Sequence, residues 1–169
     1  VFAFTNVAAR DLAGTGVISA PLPQIQPGCV YDGSLGLTDC GNWGESAHWD
    51  VPANAVSGVY IAKLTRDDTS GASHIVFVVR DDASHSDIVM QTSDGTWHAY
   101  NSYGGSSLYD GPPAGRAYKV SYNRPFITRS GDRKADFVFN ADYPLIRWME
   151  ANGYDVTYTT CVDSDRRGA

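Results

Sequence analysis

The sequence predicts an α+β chain in two parts. Residues 1–82 read as an antiparallel β-sandwich and residues 83–169 as the first half of an α/β domain. Three observations predict this. The 17 glycines and 20 aromatic residues favour short strands and turns over a helical bundle. Strand-like segments in the first part begin roughly 10–14 residues apart, the spacing of hairpin-linked strands. In the second part an amphipathic helix ends on glycine and runs straight into a strand, the rhythm of crossovers between parallel strands.

The elements follow in order. Phe2–Val7 and Val17–Ala20 are weak strand candidates. Asn42–Val51 alternates large residues with small or polar ones, as a half-buried strand does. Pro52–Gly58 is a turn, Val59–Leu64 a strand, Asp67–Gly71 a hairpin loop and His74–Val79 a strand apolar enough to be central. Joined by tight turns, these make an antiparallel sandwich of the immunoglobulin-like kind. Arg80–His85 is a polar boundary. Asp87–Gln91 is a short strand, and Thr92–Ala117, with Gly95, Gly104, Gly105, Gly111, Pro112, Pro113 and Gly115, reads as a long loop. Tyr118–Tyr122 alternates as a strand. Phe139, Tyr143, Ile146 and Glu150 recur at helical spacing, with Leu145, Trp148 and Met149 broadening the stripe. Pro144 fits only a first turn, so this helix starts near Asp142, with Asn140 or Asp142 as cap and Gly153 just past its end. Tyr154–Thr160 is the following strand. Asp163–Ala169 reads as a loop leading into a helix outside the chain, so further polypeptide is expected to cover the α/β sheet.

With 13 Lys+Arg against 19 Asp+Glu the net charge is −6. No basic cluster gives an electrostatic reason for binding nucleic acid. No run approaches ~18 apolar residues, so no membrane-spanning helix is predicted. Hydrophobic content of 43% with 19% charged residues excludes an intrinsically disordered chain. The N-terminus lacks Met and a basic segment before an apolar core, so it is not an intact signal peptide; a processed chain or an excised piece is expected. Cys29 and Cys40, 11 positions apart among glycines, favour a local disulfide and a secreted, oxidising location. The alternative is two reduced cysteines in the cytoplasm. Cys161 is left over.

Common catalytic and nucleotide-binding signatures are missing: there is no G-x-S-x-G, H-E-x-x-H, P-loop or G-x-G-x-x-G. His48, His74 and His85 are scattered and read as structural. His98 lies beyond the carboxyl end of the strand at Asp87–Gln91, where crevices form in open α/β sheets. Thr96–Tyr109 carries Tyr100, Tyr103 and Tyr109, and Gly104-Gly105 lets the loop fold back to bring Tyr100 near Tyr109. Converging phenols suit a ferric ion or general acid chemistry; the alternative is an aromatic loop packed over the sheet. Arg124 can clamp a carboxylate or phosphate, or pair with an Asp. Asp163 and Asp165 follow the last strand, as loop residues or as carboxylates of a site.

Several segments in order resemble the large (β) subunit of N,N-dimethylformamidase and its actinobacterial relatives. They are Asn42-Trp, Val51-Pro, Val56–Ala62, Val78–Asp82, Thr96-Trp-His-Ala-Tyr-Asn101, Gly104-Gly, Ser107-Leu-Tyr109, Tyr118–Phe126, Tyr143–Glu150, Asn152–Thr159 and Asp163–Gly168. The resemblance implies a sandwich followed by a glutamine-amidotransferase-like α/β domain. It also implies an amidohydrolase with one Fe(III) held by two tyrosines and a glutamate. By motif the tyrosines correspond to Tyr100 and Tyr109, with Tyr143 a weaker correspondence. The glutamate belongs to a Gly-His-Asp-Glu-Tyr-Trp segment that follows the Asp163–Gly168 motif in these relatives and is not within the 169 residues.

The mechanism implied is metal-assisted amide hydrolysis, with Asn101, His98 or Arg124 orienting the substrate or stabilising the oxyanion. The implied partners are a small amide substrate and the remaining polypeptide, or a second chain or further copy, that completes the α/β domain. The chain alone is then expected to be inactive. The competing reading is a secreted binding or structural protein with a sandwich module and no metal chemistry.

Overall fold

The computed structural model describes residues 2–6, 12–14, 17–18, 24–65, 71–127 and 137–167. It is an α+β structure with small sheets and no closed barrel among the described residues. No helix among them is long and apolar enough to cross a membrane. The chain forms two compact units, each assembled from separate stretches: 1–22 with 45–92 and 143–169, and 23–44 with 93–142.

In the first unit, β1 (Phe2–Asn6), β2 (Leu12–Gly14), β7 (Gly58–Thr65) and β8 (Ala72–Val79) form an antiparallel sheet in the order β2-β1-β7-β8. β7 and β8 pair from Gly58↔Val79 to Thr65↔Ala72. The turn expected at Asp67–Gly71 lies, apart from Gly71, outside the described residues. β7 is central and its two faces bury different partners, as a side-chain period of two requires. Val59 and Ile61 face an aliphatic core. Tyr60 turns the other way, with its ring centroid 5.8 Å from Trp49 and 5.9 Å from Phe77. β3 (Val17–Ile18) pairs antiparallel with β6 (Ala47–His48). The longer strand expected over Asn42–Val51 is thus reduced to two residues.

β9 (Ile88–Gln91) and β10 (Val156–Thr159) pair in parallel, from Val156↔Ile88 to Thr159↔Gln91. The amphipathic helix is α3 (Tyr143–Ala151), with Pro144 in its first turn as expected. It ends in a Schellman motif. Gly153, at φ 75°, donates to Glu150 O, and Tyr154 donates to Met149 O. The Tyr154 ring packs against Trp148, centroids 5.2 Å apart, which supplies the hydrophobic contact usual for this motif. Val59, Met90, Ile146, Met149 and Tyr158 form one buried cluster. Each large apolar side chain buried there contributes ~1.5–3 kcal/mol.

Asp163–Ala169 was expected as a loop, yet Cys161–Arg167 is a helix, α4. Its start is fastened by a reciprocal pair of bonds. Asp163 N–H donates to Thr160 Oγ1 (3.0 Å), and the Thr160 hydroxyl donates to Asp163 Oδ2 (2.7 Å). A hydroxyl residue followed three positions later by an acid is a capping signature that the sequence did carry. Arg80 adds an ion pair to Asp163.

In the second unit, β4 (Val30–Asp32) and β5 (Leu37–Asp39) form a hairpin. Cys29 and Cys40 at its base are joined by a disulfide, Cα–Cα 4.3 Å. Tyr118–Tyr122, expected as a strand, joins no ladder. Its neighbourhood is tied by isolated bonds instead: Tyr118 N–H to Leu35 O (2.8 Å) and Cys40 N–H to Asn123 O (2.6 Å). The stretch expected as a loop after Thr92 opens with a helix, α1 (Asp94–Tyr100). A helix of this length is marginal by itself. It is held by burial of Trp97, whose ring meets Phe137 at 5.9 Å. Phe137 precedes a single helical turn, α2 (Val138–Ala141).

Candidate functional site

The expected site residues His98, Tyr100, Asn101, Tyr109 and Arg124 all fall in the second unit. α1 sets their frame. Ser93 precedes it, and its carbonyl accepts from Thr96 and Trp97 N–H. The Ser93 hydroxyl is held by Asp142, 2.8 Å from each carboxylate oxygen, and itself accepts the Trp97 indole N–H (3.1 Å). Asp142, expected as a helix cap, thus fastens Ser93. Burial raises its pKa above the ordinary carboxylate value; Ser93 opposes that rise and the Asp94 charge adds to it.

Tyr100 ends α1. The chain then reverses through Gly104 and Gly105, at φ 86° and 99°, a region L side chains rarely adopt. Leu108 N–H returns to Ala99 O at 3.0 Å. Tyr109 comes to lie flat against Tyr100, ring centroids 4.3 Å apart and ring planes within 17°. The expected fold-back of this loop is therefore present, and Tyr109 remains 62% exposed. Tyr103 contributes backbone only: its carbonyl accepts from Arg124 and its N–H donates to Asn101.

The three residues expected to orient substrate are all buried. Asn101 is 0% exposed. Its Nδ2 donates to Pro125 O, and its Oδ1 accepts from the N–H groups of Tyr103 and Ile127. Arg124 directs its terminal nitrogens at four backbone carbonyls. His98 lies between Tyr122 (3.7 Å between centroids) and Phe126 (4.5 Å). Burial, reinforced by the Arg124 charge, lowers its pKa from 6.5 to about 4; Asp94 and a hydrogen bond to the Ser121 backbone act against this. The imidazole is neutral at physiological pH. Among the described residues, His98 Nδ1 and Arg124 Nε are buried polar atoms with no hydrogen-bond partner.

Asp94 and Tyr122 were not singled out from the sequence. The Tyr122 hydroxyl donates to Asp94 Oδ2 at 3.0 Å, directly beside His98. The Asp94–His98 spacing of four, which makes side chains neighbours on a helix, was the available signal. The remaining candidates lie elsewhere. His48 is a surface residue with Glu45 at 2.9 Å. His74 is within β8, and His85 is in an exposed loop. Asp163 serves α4 and Arg80, and Asp165 is exposed on α4. Cys161 begins α4 outside any disulfide, its thiol bonded to Thr92 O and to the Gln91 amide. Tyr143 packs against the aliphatic core of the first unit.

Phenol oxygens are hard donors of the kind a ferric ion takes, and the two tyrosine rings that carry them here are stacked. No group of three His, Cys, Asp or Glu residues capable of holding a metal occurs among the described residues.

The family described as N,N-dimethylformamidase beta subunit-like, C-terminal, matches residues 10–169. The chain belongs to this family. No curated protein sequence matches it. The match takes in the hairpin, α1, the tyrosine loop and the α3–β10 segment, so the site described above lies wholly within the family's region.

Proposed function

We propose that this chain is part of an amidohydrolase of the dimethylformamidase type, acting on the C–N bond of a small linear amide. The observation that carries the reading is the stacked Tyr100–Tyr109 pair on a loop reversed by two left-handed glycines. In this reading the β2-β1-β7-β8 sheet belongs to an immunoglobulin-like sandwich, and β9, β10 and α3 open an amidotransferase-like domain.

Tyr100 and Tyr109 would hold an Fe(III) together with a glutamate supplied from outside these 169 residues, which alone would be inactive. When bound, the ion supplies Lewis acidity toward the amide carbonyl and toward water. The chain's own part is to hold the two phenol rings together on the loop. Water adds to the carbonyl carbon, the C–N bond breaks, and the products are a carboxylic acid and an amine. The Cys29–Cys40 disulfide supports a secreted location.

The test is iron content and amide hydrolysis of the full-length protein. Tyr100→Phe and Tyr109→Phe should each abolish iron binding and the phenolate-to-iron absorption band. Full iron retention in Tyr109→Phe together with loss in Tyr143→Phe would transfer the second ligand to Tyr143. A wild-type protein without iron and without the band would reject the hydrolase reading in favour of a binding module.

A further inference from the structure

Arg124 is 6% exposed, and among the described residues no carboxylate is a hydrogen-bond partner of it. Nη1 donates to Tyr103 O (2.9 Å) and Ser106 O (3.1 Å); Nη2 donates to His98 O (3.1 Å) and Asn101 O (2.7 Å). Each terminal nitrogen of a guanidinium carries two hydrogens, so these four bonds use all of them. No terminal hydrogen is left for a substrate carboxylate or oxyanion; only the buried Nε–H has no partner among the described residues.

The four carbonyls belong to one short stretch, residues 98–106. Tyr100 stands between the first two captured carbonyls, and the reversal at Gly104-Gly105 between the last two. Asn101 ties the same stretch to Pro125 and Ile127 from its own side. The far end of the loop is fixed to this frame through Leu108 N–H to Ala99 O and Tyr109 N–H to Ser107 Oγ (3.1 Å). A lysine brings one nitrogen to one point and cannot span four acceptors laid out as a fork.

We propose that Arg124 is a positioning residue: by gathering the four carbonyls it sets the separation and parallel stacking of the Tyr100 and Tyr109 rings, without touching substrate. Its consequence for iron rests on the ligand reading above; its consequence for the ring pair does not.

The experiment uses full-length protein and Arg124→Lys. Iron affinity should fall ~10–100-fold, the scale seen when a group supporting a ligand is lost. NMR contacts between the two tyrosine rings should disappear, and in whatever iron-loaded enzyme remains kcat should fall with KM unchanged. A raised KM with ring contacts and iron content intact would overturn the proposal and make Arg124 a substrate-binding group. Should Arg124→Lys fail to fold, the wild type still decides. Four resolved, slowly exchanging Nη–H resonances unmoved by added amide support the proposal; a freely rotating guanidinium overturns it. Absence of iron from the wild type would reject the ligand reading alone, because the ring contacts and the guanidinium resonances are read without metal.

Discussion

Between neutral pH and about pH 4, His98 alone is expected to remove about 3 kcal/mol of folding stability. The imidazole pKa falls from 6.5 to about 4 on folding, and each pH unit of such a difference is worth ~1.4 kcal/mol. The sign follows from which state takes up the proton. Below pH 6.5 the unfolded chain protonates His98 while the folded chain does not, so stability declines as pH falls. Below about 4 the folded state protonates too and this loss levels off. At 5% exposure, between Tyr122 and Phe126, the ring has little solvent to relieve a charge, and Arg124 repels one. The assay is urea unfolding across this pH range with a chelator present, comparing wild type with His98→Phe and His98→Gln. His98→Phe keeps the aromatic packing and cannot titrate. Its profile should lack the decline between 6.5 and about 4 that wild type shows. Parallel profiles, or a His98 ring resonance that titrates near 6.5 in the folded protein, would refute the burial argument.

Two further outcomes are expected. The disulfide closes a loop across a sequence separation of 11. Replacing Cys29 and Cys40 by Ser should therefore lower stability by roughly 3 kcal/mol, read as a shift in the urea midpoint with little change in slope. Gly104→Ala should cost more than ~1 kcal/mol, because φ there is 86° and an added Cβ would run into the Thr38 side chain. Ring contacts between Tyr100 and Tyr109 should weaken in the same variant, as read by NMR.

The parts legible in the sequence share a property: their determinants are local. β7 and β8 are neighbours in the sequence, rich in apolar residues, and pair as a hairpin. α3 carries its own stripe, its first-turn Pro144 and its Gly153 stop. The return of Tyr109 to Tyr100 was readable because Gly104-Gly105 sits between them. The helical nature of α1 was not readable. Its seven residues make too few internal bonds to stand alone, and Trp97 is buried against Phe137, far along the chain. Tyr118–Tyr122 has the alternation of a strand, but its backbone groups meet scattered partners and no ladder.

The sequence by itself determined the family, the α+β character, the strands and helix with local signals, and the pair of tyrosines a turn brings together. Only the tertiary structure decided what His98, Asn101 and Arg124 touch. A substrate clamp and a backbone staple use the same guanidinium, and the difference lies in which acceptors reach it. Here they are carbonyls 18 to 26 positions away. Burial at that point leaves an arginine whose terminal hydrogens are all committed to the loop that carries the tyrosines.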